Sequence, residues 1–238
     1  MKITNQIVLG TMKLRKYYNN AEDLSAFLNY AHLKGLRQLH VSNEYDSYDL
    51  IVKSLKIINK KKFTFILKLA EPETDKLYFS LKRLKQKIKK YRQDLGKKNI
   101  FIVQLVNRHK CNNKRKYLSN EFKIFEEIQN TINRLKKNKH IQSFYYFPYH
   151  INSNKIKRYE YINGITCYRN IYENKNDDYA IQNNYKIIAM RPLGGVKKIA
   201  NKKNLKKLIM FNLSNKLVQK IIIGANNREQ LDELLNLC

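Results

Sequence analysis

Short apolar runs recur along this chain at QIVLG, LRQLHV, FTFILK, NIFIVQLV, IQSFYYF, NGITCY, YKIIAM and KIIIG. Each is brief, rich in β-branched or aromatic residues and free of helical spacing, the pattern of strands buried on both faces. Between them lie stretches whose apolar residues return every three or four positions: AEDLSAFLNYAHLKG, SYDLIVKSLKIINK, LKRLKQKIKKYR, SNEFKIFEEIQNTINRLKKNK, NKKNLKKLIMFNLSNK and NREQLDELLN. Weaker helical segments are predicted around Asn152 to Glu160 and Glu173 to Asn184. Strand and helix patterns alternate with short connections, which predicts an α/β fold: a (β/α)8 TIM barrel with eight parallel strands. A doubly wound open sheet is the competing arrangement.

Two helices show the patterning in detail. In SLKRLKQKIKKYR the residues Leu81, Leu84, Ile88 and Tyr91 make one apolar stripe, while Lys82, Arg83, Lys85, Lys87, Lys89, Lys90 and Arg92 are expected on the solvated face. In the fourth helical stretch Ser119 is a candidate N-cap, followed by Glu121, Glu126 and Glu127, with lysines gathered at the far end as the helix dipole favours.

At 238 residues the chain is long enough to bury a large core, and a single domain over 1–238 is expected. Its net charge of +29 raises the question of a polyanionic partner. Lysine greatly outnumbers arginine, asparagine and isoleucine are abundant and tryptophan is absent, so the charge follows a compositional drift spread over helix exteriors. No RNP, zinc-finger or other recognition motif accompanies it, and nucleic acid is not the expected partner. Cys111, Cys167 and Cys238 have no CxxC spacing, and His109 and His140 have no metal-ligand spacing, so neither a disulfide framework nor a metal is implied. The start of the chain lacks a secretory pattern, and no apolar run of about 18 residues occurs. No membrane association and a cytoplasmic setting are expected.

In a barrel of this kind chemistry sits at the carboxyl ends of the strands. Residues predicted there are Tyr45, Lys68, Asn107, Asn170, Arg191 with the turn Pro192, Leu193, Gly194 and Gly195, and the segment Gly224 to Asn227. Lys68 is the most informative, because a lysine closing a buried strand must have its charge solvated or paired. The structural alternative is a pairing of Lys68 with Glu44 or Glu71, and His40 on its apolar strand reads first as a core histidine. Glycine turns before helices suit phosphate groups, although Asn226 or Asn227 ahead of Glu229 and Gln230 is also explained as a helix cap.

In chain order, IVLGTMKL, AEDLSAFLNYAHLKGLRQLHVSNEY, FTFILK, IFIVQL, IIAMRPLGG and KIIIGANNREQLDELL resemble corresponding stretches of the aldo-keto reductases. The resemblance covers nearly the whole chain. It implies a barrel binding NADPH or NADH across the carboxyl ends of its strands, with a small-molecule carbonyl substrate reduced by hydride transfer and a tyrosine giving the proton. Of the family's Asp, Tyr, Lys and His set, Tyr45 and Lys68 match, whereas His40 stands at the aspartate position. Val106 stands at the histidine position, leaving the neighbouring Asn107 as the candidate carbonyl-orienting group. For the cofactor the resemblance points to Asn170, Arg191, Pro192, Leu193, Gly194, Gly195, Gly224, Asn227, Arg228 and Gln230, with Arg228 available to a 2′-phosphate. Phe147-Pro148 and Thr166 replace polar residues that in the family hold the nicotinamide.

A tyrosine hydroxyl, with an ordinary pKa of about 10, gives up its proton usefully only beside a cation. Lys68 can be that cation, but loss of the aspartate removes its expected counter-ion. The reading is therefore a weak NAD(P)H-dependent oxidoreductase, with a catalytically inactive barrel retained for nucleotide or protein binding as the alternative. A basic nucleic-acid binder is the third possibility.

Overall fold

Strands β1 (Ile7–Gly10), β2 (Gln38–Val41), β3 (Thr64–Ala70), β4 (Ile100–Val106), β5 (Ser143–Tyr146), β6 (Gly164–Tyr168), β7 (Lys186–Met190) and β8 (Val218–Ile223) pair in chain order. β8 returns onto β1 with Ile7 opposite Ile221, and every neighbouring pair is parallel. The sheet is closed, so the (β/α)8 expectation holds and the open sheet is excluded. This computed structural model describes residues 3–71, 79–96, 100–106, 114–147, 158–194 and 202–237. Asn107, Cys111, Pro148, Gly195 and most of the segment Asn152 to Glu160, all singled out above, lie outside them.

Helices α1 (Ala21–Leu33), α2 (Tyr48–Ile57), α3 (Leu81–Leu95), α4 (Lys114–Lys137), α5 (Asp177–Gln182), α6 (Lys202–Leu213) and α7 (Arg228–Asn236) follow their strands. In α1 Asn20 accepts from the Asp23 amide at the N-terminus, and Leu24, Phe27, Leu28 and Ala31 turn inward. Ser80 caps α3 in the same way, and Leu84, Ile88, Tyr91 and Leu95 form its buried stripe. Truncating one such residue, as in Leu84→Ala, costs about 2–5 kcal/mol.

Two expectations need correction. Lys87 is not on the solvated face of α3: it is 8% exposed and its Nζ lies 3.1 Å from Glu71 Oε2, drawn in by a carboxylate that is itself wholly buried. Ser119 does not cap α4, which already runs from Lys114. The lysine-rich stretch ahead of Ser119 contains no helix breaker, so the helix extends beyond the polar residue that looked like its start.

Inside the barrel Val8, Ile66, Ile102, Tyr145, Ile188 and Ile222 form an apolar plug. Tyr145 fits only because β6 has Gly164 beside it: a Cβ there would stand 2.5 Å from the tyrosine ring and 2.1 Å from Lys186 O. The plug floors the space above it, toward the carboxyl ends of the strands.

Candidate functional site

His40, Lys68 and Gln104 come from adjacent strands and line the cavity above the plug; Lys68 is in register with Gln104, and His40 with the plug residue Ile66. β3 continues two residues past Lys68 to Ala70, so Lys68 sits within the barrel wall and does not close the strand.

The segment after β2 carries Glu44 and Tyr45 and is pinned from three sides. The Tyr45 amide donates to Ser42 O at 3.0 Å. Ser47 Oγ donates to Thr11 O at 2.8 Å. From α3, Tyr91 Oη donates to Asn43 Oδ1 at 2.8 Å. This turn brings Glu44 Oε2 to 3.6 Å from Lys68 Nζ, with the two side chains only 20% and 17% exposed. The same ammonium lies 5.2 Å from the centre of the Tyr45 ring. Glu44 is thus the carboxylate that meets Lys68. Glu71 instead takes Arg83 at 2.6 Å and Lys87.

Beneath Tyr45 runs a buried hydrogen-bond chain. Gln104 Nε2 donates toward Met190 Sδ at 3.4 Å, which turns its carbonyl oxygen to His40 Nε2 at 2.8 Å. His40 Nε2 therefore carries the proton, and its Nδ1 lone pair faces Tyr45 Oη at 3.5 Å, a long contact. Burial pushes the His40 pKa down; the Gln104 hydrogen bond opposes that and the Lys68 charge adds to it, leaving it at about 4. At neutral pH the imidazole is uncharged and does not repel Lys68.

These groups form one wall of a cavity of about 640 Å³ that opens at the carboxyl ends of the strands. The facing wall is apolar: Val106 packs with Ala70 and Phe147, and the Phe147 ring meets Tyr168 edge-on at 5.2 Å. Val106, at the position where the resemblance expects a histidine, lines the cavity and offers no hydrogen bond to a substrate.

After β7 the chain turns back on itself. Arg191 has a left-handed φ of 50° and Gly194 one of 69°. Arg191 O accepts from Asn170 Nδ2 at 3.1 Å and from the Gly194 amide at 3.0 Å. The arginine side chain crosses to stack on the Tyr168 ring at 4.0 Å. Arg191, Pro192 and Leu193 line the cavity. Asn170 is among the site residues read from the sequence, yet both ends of its side-chain amide are taken: Nδ2 serves this turn and Oδ1 accepts from the Tyr172 amide of its own loop at 3.0 Å.

Beyond β8, Gly224 lines the cavity, with no atom within 4 Å of where a Cβ would be. Asn227 caps α7 by accepting from the Gln230 amide at 2.9 Å, and Gln230 Oε1 accepts from the Asn226 amide at 2.9 Å. Arg228 is outside the cavity lining, its guanidinium 4.9 Å from the Tyr30 ring of α1. The structure thus gathers Tyr45, Lys68, His40, Arg191, Pro192, Leu193, Gly224 and Gln230 around one space. Asn170, Gly194 and Asn227 support its edges. Gln104, Tyr168 and Met190 were not singled out from the sequence, although strict alternation along β4, β6 and β7 marks them as lumen-facing.

Among the described residues no group of three or more His, Cys, Asp or Glu is arranged to hold a metal, and no helix is long and apolar enough to cross a membrane. No protein-family model matches the chain, and no curated protein matches it. Solved structures do. A protein assigned to the aldo-keto reductases in Pseudomonas aeruginosa aligns over 98% of this chain and 90% of its own, with a TM-score of 0.70 and 14% identity. The holo form of an aldo-keto reductase from Bacillus halodurans aligns over 98% and 86%, with a TM-score of 0.67 and 13% identity. What these likenesses show is the fold: the chain folds as those aldo-keto reductases do.

Proposed function

We propose that the protein is an NAD(P)H-dependent oxidoreductase acting on carbonyl compounds, with Tyr45 as the proton donor and Lys68 as its supporting cation. The observation that carries this reading is the meeting of the Lys68 ammonium and the Tyr45 ring, 5.2 Å apart, on one wall of the cavity.

The residues present fit a dinucleotide. A cavity of about 640 Å³ is within the usual range for cofactor sites. Gly224 leaves open space beside the first turn of α7, and Arg191 places a cation at the rim, where phosphate groups are drawn. Arg191, the turn after it, Gly224 and Gln230 would hold the phosphates, with the Tyr168 ring beside them. When bound, the reduced nicotinamide supplies hydride to the carbonyl carbon.

The protein's own task is the carbonyl oxygen. As its negative charge develops, Tyr45 delivers the hydroxyl proton to it, and the Lys68 ammonium offsets the phenolate left behind. Glu44 holds Lys68 against the turn, and uncharged His40 supports the Tyr45 ring without competing for that ammonium. The apolar face at Val106, Ala70 and Phe147 suits a hydrophobic carbonyl compound.

That same face favours one other reading, a barrel that binds nucleotide without turnover, because no second polar group stands at Val106 to orient a carbonyl. Oxidation of NADPH or NADH, followed by absorbance with a panel of aromatic and aliphatic aldehydes and quinones, decides between them. Turnover that disappears in Tyr45→Phe supports the oxidoreductase. Cofactor binding with no turnover on any substrate supports the second reading.

A further inference from the structure

The Lys68 side chain is half-buried, and a cation drawn that far out of water is held at a loss without a fixed counter-charge. Among the described residues, those around it are His40 from β2, Glu44 and Tyr45 from the following turn, and Gln104 from β4. Of these Glu44 is the acidic one, its Oε2 3.6 Å from Lys68 Nζ. It reaches Lys68 because Asn43, Tyr45 and Ser47 are tied respectively to Tyr91, Ser42 and Thr11. Such a triple restraint is more than a surface ion pair has. In the same way His40 is fixed at both nitrogens, by Gln104 and Tyr45, and Gln104 is fixed in turn by Met190.

We propose that Glu44 is the positioning carboxylate of Lys68 and that His40, oriented by Gln104, is the positioning group of Tyr45. The carboxylate missing from position 40 is thereby supplied from the turn after β2, while Val106 leaves the carbonyl-orienting group of its position unreplaced. This deepens the oxidoreductase reading and rests on it for its kinetic consequence, but the electrostatic claim stands apart from turnover.

The account has an epistatic signature. In Glu44→Gln, Lys68 loses the carboxylate 3.6 Å away and is deprotonated at lower pH, so its acylation by a small amine-reactive reagent, followed by mass spectrometry of its peptide, shifts its midpoint downward. Carbonyl reduction falls on the order of a hundred-fold in kcat with KM nearly unchanged. Adding His40→Asp to Glu44→Gln returns a carboxylate to the site and restores much of both readouts. In the parent background His40→Asp lowers activity, because a second carboxylate crowds Lys68 and the uncharged support under Tyr45 is gone. Glu44→Ala serves as the second variant if Glu44→Gln folds poorly.

An unchanged Lys68 reactivity profile in both Glu44 variants overturns the proposal, as does a gain of activity from His40→Asp alone. A parent protein with no carbonyl reduction removes the functional reading, and the reactivity profile then decides the role of Glu44 by itself.

Discussion

Two glutamate–lysine pairs stand close together around β3, and they do opposite things. Glu71 is wholly buried beneath α3, where Arg83 and Lys87 both reach it and the Ser80 amide donates to it at 3.1 Å. Glu44 and Lys68 meet at 3.6 Å, partly exposed, beside a tyrosine and on the wall of a cavity. The first pair is over-determined and closed, and its charges are used up in joining α3 to the barrel. The second is longer, borders open space and leaves the ammonium 5.2 Å from the centre of a tyrosine ring. The difference teaches that role follows from which side of the wall a residue faces and how completely its hydrogen bonds are used, with chemical type the same in both.

Breaking the closed pair has the largest expected effect on stability. Glu71→Gln removes the charge that meets Arg83 and the buried Lys87, and should cost about 3–5 kcal/mol in denaturant unfolding, with activity per folded molecule little changed. Lys68→Met should do the reverse, lowering carbonyl reduction on the order of a hundred- to ten-thousand-fold, with an unfolding midpoint close to that of the parent.

The pH dependence separates the two regions further. Burial holds the folded-state pKa of His40 at about 4, below its ordinary value of 6.5. Between those values the unfolded chain binds a proton that the folded chain does not, so stability falls as pH drops from about 6.5 toward 4, by about 3 kcal/mol in the limit. His40→Gln should flatten this part of the stability curve, and the difference between parent and variant isolates the contribution. The smallest effect belongs to Arg83→Ala. Its side chain is 33% exposed, Lys87 remains to serve Glu71, and a loss of about 1 kcal/mol is expected in the same unfolding measurement.

Much of the fold was legible because a barrel repeats its signal. Every strand announced itself as a short run buried on both faces, and α1, α3 and α7 showed their apolar periodicity directly, α7 with its asparagine cap. Tyr45 and Lys68 were read as strand-end residues and Val106 through the family resemblance; all three line the cavity, with Lys68 inside β3 and not at its end. What could not be read depends on three-dimensional closure. The choice between Glu44 and Glu71 for Lys68 turns on the Asn43–Tyr91 bond, which joins residues far apart in the chain. Lys87 looked like one more surface lysine until the buried Glu71 was placed opposite it. Asn170 and Arg228 match a binding pattern in sequence, yet one amide is committed to the Arg191 turn and the other side chain is stacked on Tyr30.

The central claim is that this cavity holds a nicotinamide dinucleotide beside Tyr45 and Lys68. The most direct test is titration of the purified protein with NADPH and NADH at moderate salt, by cofactor fluorescence and calorimetry, with ATP at equal concentration as the control for a chain of net charge +29. The account predicts saturable binding that prefers one dinucleotide over ATP and survives the salt. Binding that ATP matches and salt abolishes would contradict it.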